Sequence, residues 1–205
     1  MEQPMSPRLA RLEALRRESD EDLMTQLQSG SEEAFELLVR RHSRSVRSYL
    51  FRFVGNVEIA EDLTQDTFLR VFKSRQSYRR IAKFTTWLFT IAGNLARSEY
   101  RRRNRAQLSS IQLVSQENGE YVMDVEDDAP GLDIDLDIAM QYDRAQRALD
   151  DVPESFREVV VLRDVQDLSY EEIGSITGLP MGTVKSRIHR GRTLLNTLLY
   201  EAVPA

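Results

Sequence analysis

Between Pro180 and Leu195 the chain carries Lys185, Arg187, Arg190 and Arg192 without a single Asp or Glu, and Ser186 and His189 lie among them. Such side chains suit one chemistry, the binding of a polyanion. Ammonium and guanidinium groups take phosphate oxygens, and short hydrogen-bonding tips can read base edges in a major groove. Val184, Ile188, Gly191 and Leu195 recur at i, i+4, i+7 and i+11, which predicts a buried stripe with Lys185, Ser186, His189, Arg190 and Arg192 on the other side. Upstream, Ser169 is suited to an N-cap, Glu171 and Glu172 to a first turn, and Tyr170, Ile173 and Ile176 to one apolar side. Gly178 breaks that helix and Pro180 opens the next. The pattern is that of a helix-turn-helix. Helix pairs that touch no DNA have the same spacing. What favours DNA is the acid-free second helix in a chain whose net charge is −5.

A second group of residues suits a different nucleic-acid chemistry. Phe84, Trp87, Leu88, Ile91, Ala92 and Leu95 predict an amphipathic helix whose opposite side bears Asn94, Arg97, Ser98, Arg101 and Arg102, running into Arg103 and Arg105. Before it lies an expected loop, Arg75 to Lys83, with Tyr78, Arg79, Arg80 and Lys83. Aromatics beside an Arg cluster are what single-stranded nucleic acid needs, cations for phosphates and planar faces or apolar slots for unstacked bases. Periodicity nevertheless assigns most of Trp87 to the core. Between Val57 and Ser74, Ala60, Leu63, Thr67, Phe68, Val71 and Phe72 share one face, and Glu61, Asp62, Gln65 and Asp66 share the other. An acidic patch in a basic region fits a protein-docking face, and equally the preference of acids for a helix N-terminus.

Charge is segregated along the chain. From Arg40 to Arg105 there are 16 Lys/Arg against 5 Asp/Glu, whereas from Gln116 to Asp151 there are 2 Arg against 12 Asp/Glu. Fields act over about 10 Å, so an acidic chain can still offer a basic surface to a polyanion. The 205 residues contain no Cys, which excludes disulfides and Cys-based zinc sites and suits a reducing compartment. Arg8, Arg11, Arg16 and Arg17 are followed by no apolar run, and no stretch approaches a bilayer-spanning length, so a cytoplasmic protein without membrane insertion of its own is expected. Acids sit at helix starts or in the acidic stretch rather than converging, and His42 and His189 are the only histidines. No catalytic site, metal site or cofactor is expected. His42 is expected at the surface or packed between helices.

The elements that must position these groups are all helical. Leu23 and Leu27, then Ala34, Leu37 and Leu38, predict two helices parted by Ser29-Gly30-Ser31, and Val46 to Val54 extends the second to Gly55-Asn56. The expected fold is all-α, with two helical domains on a flexible acidic linker and a helix-turn-helix bundle at the C-terminus. Its parts are an arm over 1–19, a domain over 20–105, a linker over 106–138 and the bundle over 139–205. The alternation Leu132, Ile134, Leu136, Ile138 fits a tether whose apolar residues dock locally better than a strand, since no partner strands are evident.

Taken together, AEDLTQDTFLRVF (Ala60 to Phe72), FTTWLFTIAGNLARSEYRRR (Phe84 to Arg103), LDDVPESFREVVVLRDVQDLSYEEIG (Leu149 to Gly174) and GLPMGTVKSRIHRGR (Gly178 to Arg192) resemble, in that order, the extracytoplasmic-function (group 4) sigma factors of bacterial RNA polymerase, in the sigma-70 family. The resemblance implies a promoter-specific transcription initiation factor with a sigma region 2 domain and a sigma region 4 domain. Asp62, Gln65 and Asp66 would bind the beta-prime clamp coiled coil of core RNA polymerase, with further contact to the beta subunit. Tyr78, Arg80, Lys83, Phe84, Trp87, Asn94, Arg97, Arg101 and Arg102 would melt and capture the −10 non-template strand. Lys185, Ser186, His189 and Arg190 would face −35 bases, and Arg163, Thr183, Arg187 and Arg192 would meet phosphates or hold the helix. An anti-sigma factor is an expected partner. The chain departs from many relatives at Ser98, where they have Asp, and at Gly93, where they have Arg. The alternative is a stand-alone helix-turn-helix regulator acting without core polymerase, which would leave Phe84 to Arg105 and the Asp62 patch without a task.

Overall fold

The computed structural model describes residues 15–111 and 136–201. The expected arm up to residue 14 and the acidic stretch 112–135 lie outside the described residues. Eight α-helices make up the described fold, and no strand occurs among the described residues. The N-terminal unit contains α1 (Asp20–Gln28), α2 (Glu32–Val54), α3 (Val57–Lys73) and α4 (Phe84–Ile111). The C-terminal unit contains α5 (Leu136–Asp151), α6 (Glu154–Val160), α7 (Tyr170–Thr177) and α8 (Met181–Glu201). Helix α4 thus continues past residue 105, and Leu136 and Ile138 of the alternating stretch are already helical.

The helix boundaries follow from local hydrogen-bonding chemistry. Ser19, Ser31, Asn56 and Ser169 cap four N-termini, their side-chain oxygens accepting from the backbone N–H of Asp22, Ala34, Ile59 and Glu172. At Ser169 the cap is reciprocal, because the Glu172 carboxylate also accepts from the Ser169 N–H at 2.8 Å. Gly178, at φ 72°, ends α7 in the left-handed region that favours glycine and so turns the chain into α8. After α6 the chain widens into a π-helical turn over Val161–Val165, with the Gln166 N–H donating to the Val161 carbonyl.

Burial couples the two units. Tyr49, Phe53, Phe84 and Leu88 of the first belong to one continuous apolar core with Leu162, Ile173 and Ile188 of the second. Helix α4 packs along α7, and α2 packs against α5, α6 and the π turn. Within the second unit α8 approaches α6 so closely that a Cβ on Gly191 would stand 2.6 Å from Val160 Cγ2. Any side chain larger than hydrogen at Gly191 would push α8 away from α6.

Candidate nucleic-acid interface

Helix α8 buries Val184, Ile188 and Gly191, as the stripe predicts, and leaves Lys185, Ser186, His189 and Arg190 exposed. The Ser186 hydroxyl donates to the Thr183 carbonyl at 3.0 Å, and the Lys185 ammonium lies 5.8 Å from the centre of the Tyr170 ring. From Met181 to Leu195 the helix therefore presents a row of donors with no carboxylate of its own among them. Arg163 and Arg192 are differently employed. Arg163 donates to the Leu168 carbonyl at 2.8 Å, pairs with Asp167 at 3.6 Å and stands 5.4 Å over the Tyr170 ring, so it staples the turn before α7. Arg192 is held by both oxygens of Asp164. Thr183 and Arg187 are half-buried. These four fit the task of holding or flanking the helix better than that of reading bases.

In the N-terminal unit the loop before α4 is built on aromatics. Tyr78 and Phe84 are buried and Trp87 is half-buried, their rings 5.2 to 6.3 Å apart. They floor the loop from beneath, while Arg79, Arg80, Ile81, Ala82 and Lys83 stand exposed above them, Ile81 at 91%. Farther along α4, Asn94, Ser98, Arg101 and Arg102 are exposed. Arg102 pairs with Glu99 through two hydrogen bonds of 2.8 Å. On α3 the Asp62, Gln65 and Asp66 side chains are all exposed, next to Leu69 and Phe72, which also reach the surface. His42 is packed between helices, its Nε2 2.7 Å from Asp20 and its ring 5.4 Å from Phe84.

Several of these cations have partners that the residue pattern did not predict. Arg97 is ion-paired with Glu158 of α6, and the same carboxylate oxygen accepts from the buried Tyr49 hydroxyl at 3.2 Å. Lys83 pairs with Glu172 of α7 at 2.9 Å. Burial pushes the Glu158 carboxyl above the usual carboxylate range despite the Arg97 guanidinium. Burial would also raise Glu172, but hydrogen bonds from Ser169 and Lys83 outweigh it and hold that carboxyl low. Arg157 is buried and donates to the Phe53, Val152 and Asp150 carbonyls, which ties α6 to the C-terminus of α2. A signal for Arg157 and Glu158 was present in the pattern, two charges inside the apolar run Phe156 to Leu162.

Among the described residues no cluster of three or more His, Cys, Asp or Glu could hold a metal ion, and no helix is long and apolar enough to cross a membrane.

Known proteins share this arrangement. The Sigma-70 region 2 family matches residues 38–106, and the Sigma-70 region 4 family matches residues 142–195. The ECF RNA polymerase sigma factor SigE of Mycolicibacterium smegmatis is 41% identical over 79% of this chain, which spans 60% of that relative's length. The RNA polymerase sigma-H factor of Pseudomonas aeruginosa is 32% identical over 90% of this chain and 96% of its own, and SigW of Bacillus subtilis is 33% identical over 85% and 93%. Among solved structures, the sigma factor RpoE in complex with the anti-sigma factor NepR from Bartonella quintana superposes with a TM-score of 0.65 at 27% identity, covering 82% of this chain and 98% of that one. CnrH in complex with the cytosolic domain of CnrY gives a TM-score of 0.67 at 26% identity, over 91% and 100%. With both sigma regions matched in order along the chain and relatives covered almost end to end, the chain belongs to the extracytoplasmic-function sigma factors of the sigma-70 family and is a promoter-specific transcription initiation factor.

Proposed function

We propose that α8 reads the −35 element as duplex through Lys185, Ser186, His189 and Arg190, and that the loop 78–84 with Asn94, Arg97, Arg101 and Arg102 captures the −10 non-template strand. The observation that carries this reading is the acid-free, exposed face of α8, separate from a second cationic surface built on aromatics. Asp62, Gln65 and Asp66 dock on the beta-prime clamp coiled coil, Leu69 and Phe72 adding apolar area beside the acids. The beta subunit and an anti-sigma factor are further partners, the latter supported by similarity to sigma factors solved with anti-sigma proteins. The protein works in the cytoplasm and has no catalytic site of its own.

This reading has a conformational requirement. The −10 and −35 elements stand some 25 base pairs apart, or ~85 Å at ~3.4 Å per pair, whereas the two units here share one core. Engaging both elements therefore separates α4 from α7, and Lys83 and Arg97 exchange Glu172 and Glu158 for phosphates. The packed arrangement is a resting form. Run-off transcription with core polymerase on a promoter library tests the proposal. The protein should co-purify with core enzyme and confer initiation at one promoter class. Absence of either result rejects it.

A further inference from the structure

Helix α1 carries no cationic face and was assigned no task by its sequence, yet it holds the loop 75–84 at both ends. At the near end the Gln28 side-chain amide donates to the Arg75 carbonyl at 2.9 Å and to the Tyr78 carbonyl at 3.1 Å, and Gln76 returns a hydrogen bond to the Gln28 carbonyl at 2.8 Å. Because both partners of the Gln28 nitrogen are carbonyl oxygens, only the NH2 group satisfies them. At the far end Glu21 Oε1 accepts from the Phe84 N–H at 2.8 Å and so caps α4 from another helix. Asp22 pairs with Arg80 at 2.6 Å in between.

The helix is itself fixed. Leu23, Met24 and Leu27 are buried, and Asp20 accepts from Arg41 and from His42, each at 2.7 Å. Burial would raise the Asp20 carboxyl, but these two partners hold it below its ordinary range. A surface that must receive an unstacked base loses affinity for every residue it has to order on binding, and a loop fixed beforehand avoids that loss. Between these anchors the tip is closed on itself, the Ile81 N–H donating to the Arg79 carbonyl at 2.7 Å and the Tyr78 hydroxyl to the Ala82 carbonyl at 3.3 Å, and the Ile81 side chain stands exposed upon it.

We propose that Gln28 and Glu21 are positioning residues for base capture: they fix the two ends of the loop 78–84, so that its tip is preformed before the strands part. This rests on the assignment of that loop to the −10 strand. Neither side chain needs to touch DNA.

The test uses holoenzyme assembled from core polymerase and the full chain. Open-complex lifetime is measured on promoters carrying each of the four bases at each non-template −10 position, and on matched −35 variants. Gln28→Glu keeps the shape but loses both donors, and Glu21→Ala loses the acceptor. Each should reduce discrimination at one −10 position by roughly tenfold, with −35 discrimination unchanged. Glu21→Gln keeps an acceptor oxygen and should behave as wild type. If Gln28→Glu and Glu21→Ala retain full −10 discrimination while Ile81→Ala loses it, the proposal fails and the loop assignment stands. A parallel loss of −10 and −35 discrimination in step with a falling Tm would reduce both residues to fold maintenance and overturn it too. If Ile81→Ala also leaves discrimination intact, the loop assignment falls and the proposal with it.

Discussion

Helix α8 and helix α4 of the N-terminal unit carry similar charge and present most of it differently. On α8, Lys185, His189 and Arg190 are exposed in a stretch, Met181 to Leu195, that carries no Asp or Glu, and of its cations Arg192 is paired with an acid, Asp164. On α4 and its leading loop, Arg80, Lys83, Arg97 and Arg102 are each paired with an acid, two of those acids belonging to the other unit. If α8 reads the duplex as proposed, its reading face is ready before DNA arrives. If the loop and α4 capture the strand as proposed, that surface is preformed in backbone but committed in charge, which suits a step that follows docking.

Breaking the comparison at its centre should have the largest effect. Glu158→Ala leaves Arg97 and the buried Tyr49 hydroxyl without their shared acceptor. The packing of the two units should weaken on the order of 2 kcal/mol, below the roughly 3–5 of a fully buried pair because Arg97 keeps partial access to water. Energy transfer between probes on α3 and α8 should fall. Gly93→Arg attacks the same place, since a Cβ there already stands 3.2 Å from Glu158 Oε1. An unchanged probe distance in both variants would mean that this contact does not hold the units together.

The next effect separates base reading from charge. Arg190→Ala should cost about 1–3 kcal/mol at one −35 position and leave the other positions alone. A library of −35 duplexes reads this directly. Arg102→Ala should instead weaken binding evenly across sequences and flatten the salt dependence by about one unit of slope.

The smallest expected effect is of pH. Burial raises the Glu158, Glu154 and Asp150 carboxyls above their ordinary range, so the packed form takes up protons more readily than the opened one. Its stability should therefore rise as pH falls from neutral through the raised values, and level off below the ordinary carboxylate range of about 4. Glu172 is held low and works the other way, its contribution being lost only as pH falls beneath that range. Stability that rose steadily with pH across the weakly acidic region would contradict the burial of Glu158.

Local chemistry made most helices legible in the residue pattern. Ser31, Asn56, Ser169 and Gly178 mark ends that hydrogen bonds within three or four residues decide, and the Val184, Ile188, Gly191 stripe placed the exposed face of α8 correctly. Partners chosen by tertiary packing were not legible. Glu158 lies 61 residues from Arg97, and nothing in the spacing of either says which acid meets which base. Gln28 reads as an ordinary helix-end amide until α1 is seen against the loop. The π turn at Val161–Val165 was equally hidden, because no breaker residue marks it within the apolar run.

The central claim is a division of labour between two DNA surfaces, and binding of the holoenzyme to two separate probes tests it most directly, a −35 duplex and a single-stranded −10 oligonucleotide. Arg190→Ala should weaken the duplex probe alone, and Arg101→Ala the single-stranded probe alone. If either substitution weakened both probes equally, the two surfaces would be one, and the account would be wrong.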